Sequence, residues 1–182
     1  TVAATGSVLT QSDSNTKIEA TGASSSYVAS DVSDIVEAVM PSIVSITNVS
    51  ESQYQSFFGG TQTQQSTSCG SGIIVSQDAD NLYIATNNHV VEGADSLTVA
   101  FSDNTTVSAE IKGTDPSTDL AVIRVALSSI DSDTLNTIKV ATLGNSDDLK
   151  AGQAAIAIGN ALGYGQSVTT GVISALNREV TV

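Results

Sequence analysis

A chain of 182 residues has room for one ordinary domain, or a domain and a tail, and its 40% of hydrophobic residues suffices for a core, which excludes a wholly disordered chain. Nineteen Asp and Glu against six Lys and Arg give a formal charge of -13, a field that repels phosphate backbones and argues against nucleic acid and anionic membranes as partners. Aromatic residues are only 4% and Trp is absent, so small and β-branched side chains must do most of the packing, which favours strands.

Residues 1–30, rich in Ser, Thr, Ala and Gly, have no sustained periodicity and read as a flexible linker. The chain opens on Thr1 with no charged leader or apolar signal core, as expected of a processed or excised piece of a longer protein. A short helix is predicted to start at Ser30-Asp31, with Ile35, Val36, Val39 and Met40 on one face and Pro41 as its stop. Short strands follow. Ile43 to Thr47 is the first, and the polar stretch from Glu51 to Ser68, interrupted by Phe57-Phe58-Gly59-Gly60, reads as a long loop. Gly72 to Val75, Leu82 to Thr86, Leu97 to Phe101, Thr106 to Ile111 and Leu120 to Val125 are further strands, separated by turns such as Asp78 to Asn81 and Ser102 to Asn104. Their even spacing indicates a β-barrel or sandwich. After a break from Leu143 to Gly152, Ala154 to Ile158 and Ser167 to Leu176 add two strands. Two strands cannot close a second barrel.

His89 is the only histidine, at the end of an apolar strand, where a scaffold can hold a side chain and leave it accessible. An imidazole takes up and returns a proton near neutrality, as acyl transfer requires. Alone, such a histidine is as readily a surface or core residue. A base of this kind needs a partner to hold its tautomer, and Asp119, at the mouth of the strand Leu120-Ala121-Val122-Ile123, is the candidate. The plainer reading of Asp119 is a turn or strand cap, a role that Asp115, before Pro116, fits better. Cys69 excludes an intrachain disulfide; it reads as a small buried thiol, with a cysteine nucleophile beside His89 as the alternative. Gly159 to Gly165 lacks the Lys and Ser/Thr of a phosphate loop and reads as a hairpin. Asn48-Val49-Ser50 and Asn104-Thr105-Thr106 match the glycosylation sequon, a frequent chance pattern.

Taken in order, these segments resemble the HtrA/DegP family of trypsin-like serine proteases. Asp34 to Val44 is similar to the family's entry helix and first strand, and Gly70-Ser71-Gly72-Ile73-Ile74-Val75 to its GSG strand. Thr86-Asn87-Asn88-His89-Val90-Val91 resembles the catalytic-histidine motif, and Asp119-Leu120-Ala121-Val122 the catalytic-aspartate motif. Leu143 to Asp147, Ala157 to Asn160 and Thr169 to Ala175 resemble the link to a second barrel and its opening strands. The family's nucleophile lies in a Gly-Asn-Ser-Gly-Gly motif. Gly144-Asn145-Ser146 imitates its start, but Asp147-Asp148 follow, and two carboxylates would oppose a developing oxyanion. The resemblance therefore implies no nucleophile in this chain and a catalytic serine beyond Val182.

The reading that results is all-β: a trypsin-like Greek-key barrel over 31–145, the incomplete beginning of a second barrel over 146–182, and the linker over 1–30. The resemblance implies a serine endopeptidase acting on unfolded extracytoplasmic proteins, with His89 and Asp119 as catalytic residues and no metal or cofactor required. It also implies a homotrimer or higher assembly and an upstream membrane anchor. By the same resemblance the stretch from Glu51 to Ser68 holds the position of a regulatory loop, with Phe57-Phe58 expected to reach a neighbouring subunit and a mobile loop as the plainer reading. The alternatives are a pseudoprotease that binds peptides without cleaving them and a non-enzymatic adhesion module.

Overall fold

The computed structural model describes residues 31–55, 61–159 and 166–178. The linker 1–30, Phe57-Phe58 and the glycine-rich turn at 160–165 lie outside the described residues. A helix α1 (Ser33–Val39) and a 3₁₀ turn (Met40–Ser42) lead into β1 (Ile43–Gln55), which is followed by β2 (Thr61–Gln77) and β3 (Asn81–Thr86). A one-turn helix α2 (Asn88–Val91) precedes β4 (Ser96–Ala100), β5 (Thr106–Asp115) and β6 (Leu120–Ala126). Helix α3 (Ser132–Thr137) and a 3₁₀ turn at Ser146–Asp148 then lead to β7 (Ala154–Gly159) and β8 (Ser167–Val172).

Strands β1 to β6 close into an antiparallel barrel in the order β1-β2-β3-β6-β5-β4, and β4 pairs back onto β1. Closure leaves no strand edge unpaired around the ring. The inward positions follow the period of two: Val44 and Ile46 on β1, Leu82 and Ile84 on β3, Ile123 and Val125 on β6 are all buried. Each such side chain contributes roughly 1.5–3 kcal/mol on leaving water. The interior is narrow and filled by Val, Ile and Leu, with Phe101 as the one aromatic in its core cluster.

The Gly-Ser-Gly run of β2 owes its glycines to this narrowness. A Cβ on Gly72 would stand 2.6 Å from the Ile84 side chain and 2.9 Å from that of Ile46. On Gly70 it would stand 2.5 Å from Val90, a residue of α2. Val90 has no flexible end to swing aside, so the helix or the strand must move. Gly70→Ala is expected to lower stability by about 1–3 kcal/mol in urea denaturation. Gly113→Ala, whose added methyl meets nothing within 4 Å, should leave the midpoint in place.

Four sequence expectations change. The stretch 51–55 and 61–68 is strand, because the β1–β2 register runs unbroken from Ile43↔Ile73 to Gln55↔Thr61. Its alternate backbone groups pair with the facing arm, while residues 64–68 stay exposed, so no buried face imprints an alternation on the sequence. Helix α1 starts at Ser33, after Val32, whose side chain gives no cap, and none of its residues is buried; Ser30 of the expected start lies outside the described residues. β8 ends at Val172 rather than Leu176. Cys69 is half-buried rather than buried, since Gly70, Gly72 and Ile74 hold the inward positions and Cys69 lies on the other face. The short helices α2 and α3 are additional to the strands read from sequence; α3 is tied down by its buried Thr134, which donates to the Asp103 carboxylate.

β7 and β8 pair only with each other. They meet the barrel through Gly159, whose missing side chain leaves room for the Ser71 hydroxyl, and through Gln166, which donates to the Ile43 carbonyl. Val168 and Val172 are exposed. No helix among the described residues is long and apolar enough to cross a membrane.

Candidate active site

β3 ends at Thr86, whose hydroxyl donates to the Ser71 carbonyl and stops the chain at the barrel rim. The next residues turn into α2, so His89 stands on a one-turn helix rather than on the strand end itself. Val90 and Val91 are buried beneath it, and the imidazole points the other way with 68% of its surface exposed.

Asp119 comes from the neighbouring strand of the ring, between the turn that closes β5 and the start of β6, where Thr86 of β3 faces Ala121. Asp115 builds that turn: its carboxylate accepts from the Ser117 N–H and hydroxyl and from the Thr118 hydroxyl. The chain then reverses at Asp119 itself, which has φ 53°. A left-handed backbone is uncommon for a residue with a Cβ, costs on the order of 1 kcal/mol, and concentrates where geometry serves a site.

Asp119 is thereby placed to cap the helix. Its carbonyl accepts from the Asn88 N–H at 3.2 Å and from Asn87 Nδ2 at 3.0 Å. Oδ1 accepts from the His89 N–H at 2.9 Å, and Oδ2 lies 2.7 Å from His89 Nδ1. These are N–H groups that a helix start leaves without intrahelical partners. The same carboxylate therefore fixes both the backbone and the ring of His89. A carboxylate only accepts, so Nδ1 carries the proton of this contact and the lone pair of a neutral ring sits on Nε2.

The His89 N–H, then the imidazole, hold the Asp119 carboxyl below the usual carboxylate range. Asp103, through the Thr134 hydroxyl, Asp115, through the Ser117 hydroxyl, and Asp78, through the Asp80 N–H, are lowered likewise. A folded pKa below the unfolded one contributes stability that is complete above the unfolded value, about 4, and is lost as pH falls through the folded value. The denaturation midpoint is therefore expected to drop as pH falls below about 4. Measurement at about 0.5 M salt screens the net positive charge that builds up below the isoelectric point, pI ≈ 4.1, whose repulsion would otherwise add to the drop.

The remaining candidates lie apart from this pair. Ser146 stands in an exposed 3₁₀ turn with Asp147 and Asp148, and among the described residues no hydrogen bond joins it to His89. Cys69 has the Thr47 hydroxyl at 4.0 Å as its partner across the β1–β2 pair. No group of three or more His, Cys, Asp or Glu among the described residues is placed to hold a metal ion. Of the two sequons, Asn104 is exposed in a turn, but Asn48 is buried and donates to the carbonyls of Val90 and Glu92. Sequence reasoning passed over Asn48 as a site residue. The available signal was a polar side chain continuing the inward series Val44, Ile46.

Known proteins are similar to this chain in sequence and in fold. The family model described as trypsin-like peptidase domain matches residues 70–181. The chain is 42% identical over 158 residues to the serine protease Do-like HtrB of Bacillus subtilis (strain 168), covering 85% of this chain and 33% of that protein. It is 47% identical over 116 residues to a probable periplasmic serine endoprotease DegP-like of Halomonas elongata, covering 64% of this chain and 22% of that one. The solved structure of the HtrA-type protease AlgW with decapeptide superimposes with a TM-score of 0.59 at 31% identity, over 81% of this chain and 46% of that chain. The chain thus spans about a third of the length of the first of these curated relatives. A closed six-stranded barrel, an ordered run of matched motifs and a family model covering more than half its length make this chain a member of the trypsin-like peptidase family, in its HtrA-type branch.

Proposed function

We propose that the protein is a serine endopeptidase in which His89 is the general base and then the general acid, and Asp119 holds its tautomer. The observation that carries this reading is the 2.7 Å contact between Nδ1 and Oδ2 beneath an exposed imidazole. A serine from outside residues 1–182 loses its hydroxyl proton to Nε2 as its oxygen attacks the peptide carbonyl. The imidazolium, stabilised by Asp119, returns that proton to the leaving amine, and water resolves the acyl-enzyme by the same exchange. Residues 146–182 would open the second barrel that supplies the serine and the oxyanion donors, and the exposed Val168 and Val172 are positions for it to cover. Residues 31–145 would form the first barrel.

Unfolded proteins or peptides as substrates, a location outside the cytoplasm, assembly into a trimer or more, and a membrane anchor before the linker 1–30 belong to the same proposal. The names of the periplasmic DegP-like relatives and of the peptide-bound AlgW support the first two.

A fluorophosphonate probe with mass-spectrometric mapping tests the serine. In the full-length protein the adduct is expected on a serine outside residues 1–182, with loss of turnover on an unfolded casein-type substrate. An adduct on Ser146, or turnover that instead disappears on alkylating Cys69, would overturn the assignment. Neither labelling nor turnover would favour the pseudoprotease.

A further inference from the structure

We infer that Asn48 is a positioning residue for His89: its side-chain amide holds the one-turn helix that carries the imidazole at the angle where Nδ1 meets Asp119. The inference rests on the reading of His89 as a general base, and its test separates the two.

Helix α2 has four residues, too few to be stable without tertiary support. Its first turn is held by Asp119. On the far side of His89, Asn48 Nδ2 donates to the Val90 carbonyl at 3.0 Å and to the Glu92 carbonyl at 3.1 Å. These oxygens lie one and three residues beyond the histidine. Asn48 itself is hardly able to move: its backbone lies between Ser68 of β2 and Leu97 of β4, and the residue is 3% exposed. Two fixed donors on a barrel strand thus grip two acceptors on the segment that bears the ring.

Packing beneath the helix does not supply the same constraint. Val90 and Val91 seat it against the barrel, but apolar contacts are not directional, whereas hydrogen bonds weaken steeply with angle. Asn48 also departs from what stability alone would select. Its Oδ1 is buried without a partner among the described residues, in a place where the strand otherwise presents Val44 and Ile46. A leucine, with the same branching, would avoid that orphan acceptor but could not hold the two carbonyls. Such a local conflict is what a site imposes on its scaffold.

The test compares Asn48→Leu with the parent in the full-length protein. Expected are a fall in kcat of about 10²-fold, the scale of a misplacement near 1 Å, an unchanged KM, and loss or shift of the low-field proton signal of the Nδ1–H···Asp119 bridge. In a His89→Ala background the same substitution should have no further effect on residual hydrolysis. If Asn48→Leu does not fold, Asn48→Ser, a smaller disruption, is put through the same measurements. An unchanged kcat with an unchanged bridge signal overturns the inference, and so does an equal fall in the His89→Ala background, which marks a general structural role. Should His89→Ala leave hydrolysis intact while Asn48→Leu still removes the bridge signal, the reading of His89 as general base fails and the positioning stands.

Discussion

Replacing His89 with Ala is expected to lower kcat on an unfolded substrate by about 10⁶-fold, with KM little changed. In the proposed mechanism the ring contributes the proton acceptor on Nε2 and, once protonated, the acid that releases the leaving amine. Without it the serine hydroxyl must ionise unaided, far from its pKa at neutral pH. The fold should tolerate the change. The imidazole is mostly exposed, and the backbone N–H of residue 89, which donates to Asp119 Oδ1, persists in alanine. Val90 and Val91 still anchor the helix. Near-UV circular dichroism and the urea midpoint check that the barrel is intact, and steady-state kinetics read the loss. Hydrolysis at parental rate in a folded variant would mean that another residue acts as base.

Asp119→Asn is expected to cost about 10⁴-fold in kcat, through the tautomer rather than the charge alone. Two donors decide which way the new amide faces. The His89 N–H at 2.9 Å requires an acceptor at the Oδ1 position, so the amide oxygen stays there and the NH₂ faces the imidazole. An NH₂ in the place of Oδ2, now 2.7 Å from Nδ1, makes Nδ1 the acceptor and moves the ring proton to Nε2. The nitrogen that should take the serine proton is then already protonated. Asn87 Nδ2, which donates to Oδ2 at 3.2 Å, faces a second donor and must let go. Loss of the low-field Nδ1–H signal would accompany the kinetic loss. A variant with the signal retained and kcat lowered would place the effect elsewhere.

The strands were legible wherever one face is buried. Val44 and Ile46, Leu82 and Ile84, and Ile123 and Val125 alternate in sequence as they do between core and surface. The outer arms of β1 and β2 were read as a loop because neither face of the described part is buried, and backbone pairing alone leaves no pattern in side chains. Helix α2 escaped notice for a related reason: its first turn is capped by Asp119, thirty positions away from His89, and by no neighbour in sequence. The ordered motifs of the family compensated for this, since they carry the history of a contact that periodicity does not encode.

Sequence alone determined the all-β class and the pair of residue types fit for proton transfer, because composition and local period record what each residue is and which side of its strand meets water. Only the tertiary structure decided that β4 returns to β1, that positions 70 and 72 have no space for a side chain, and that one carboxylate reaches both the backbone and the ring of His89. Those outcomes depend on barrel closure. Closing the ring sets distances between residues far apart in the chain, and no window of neighbouring residues contains them.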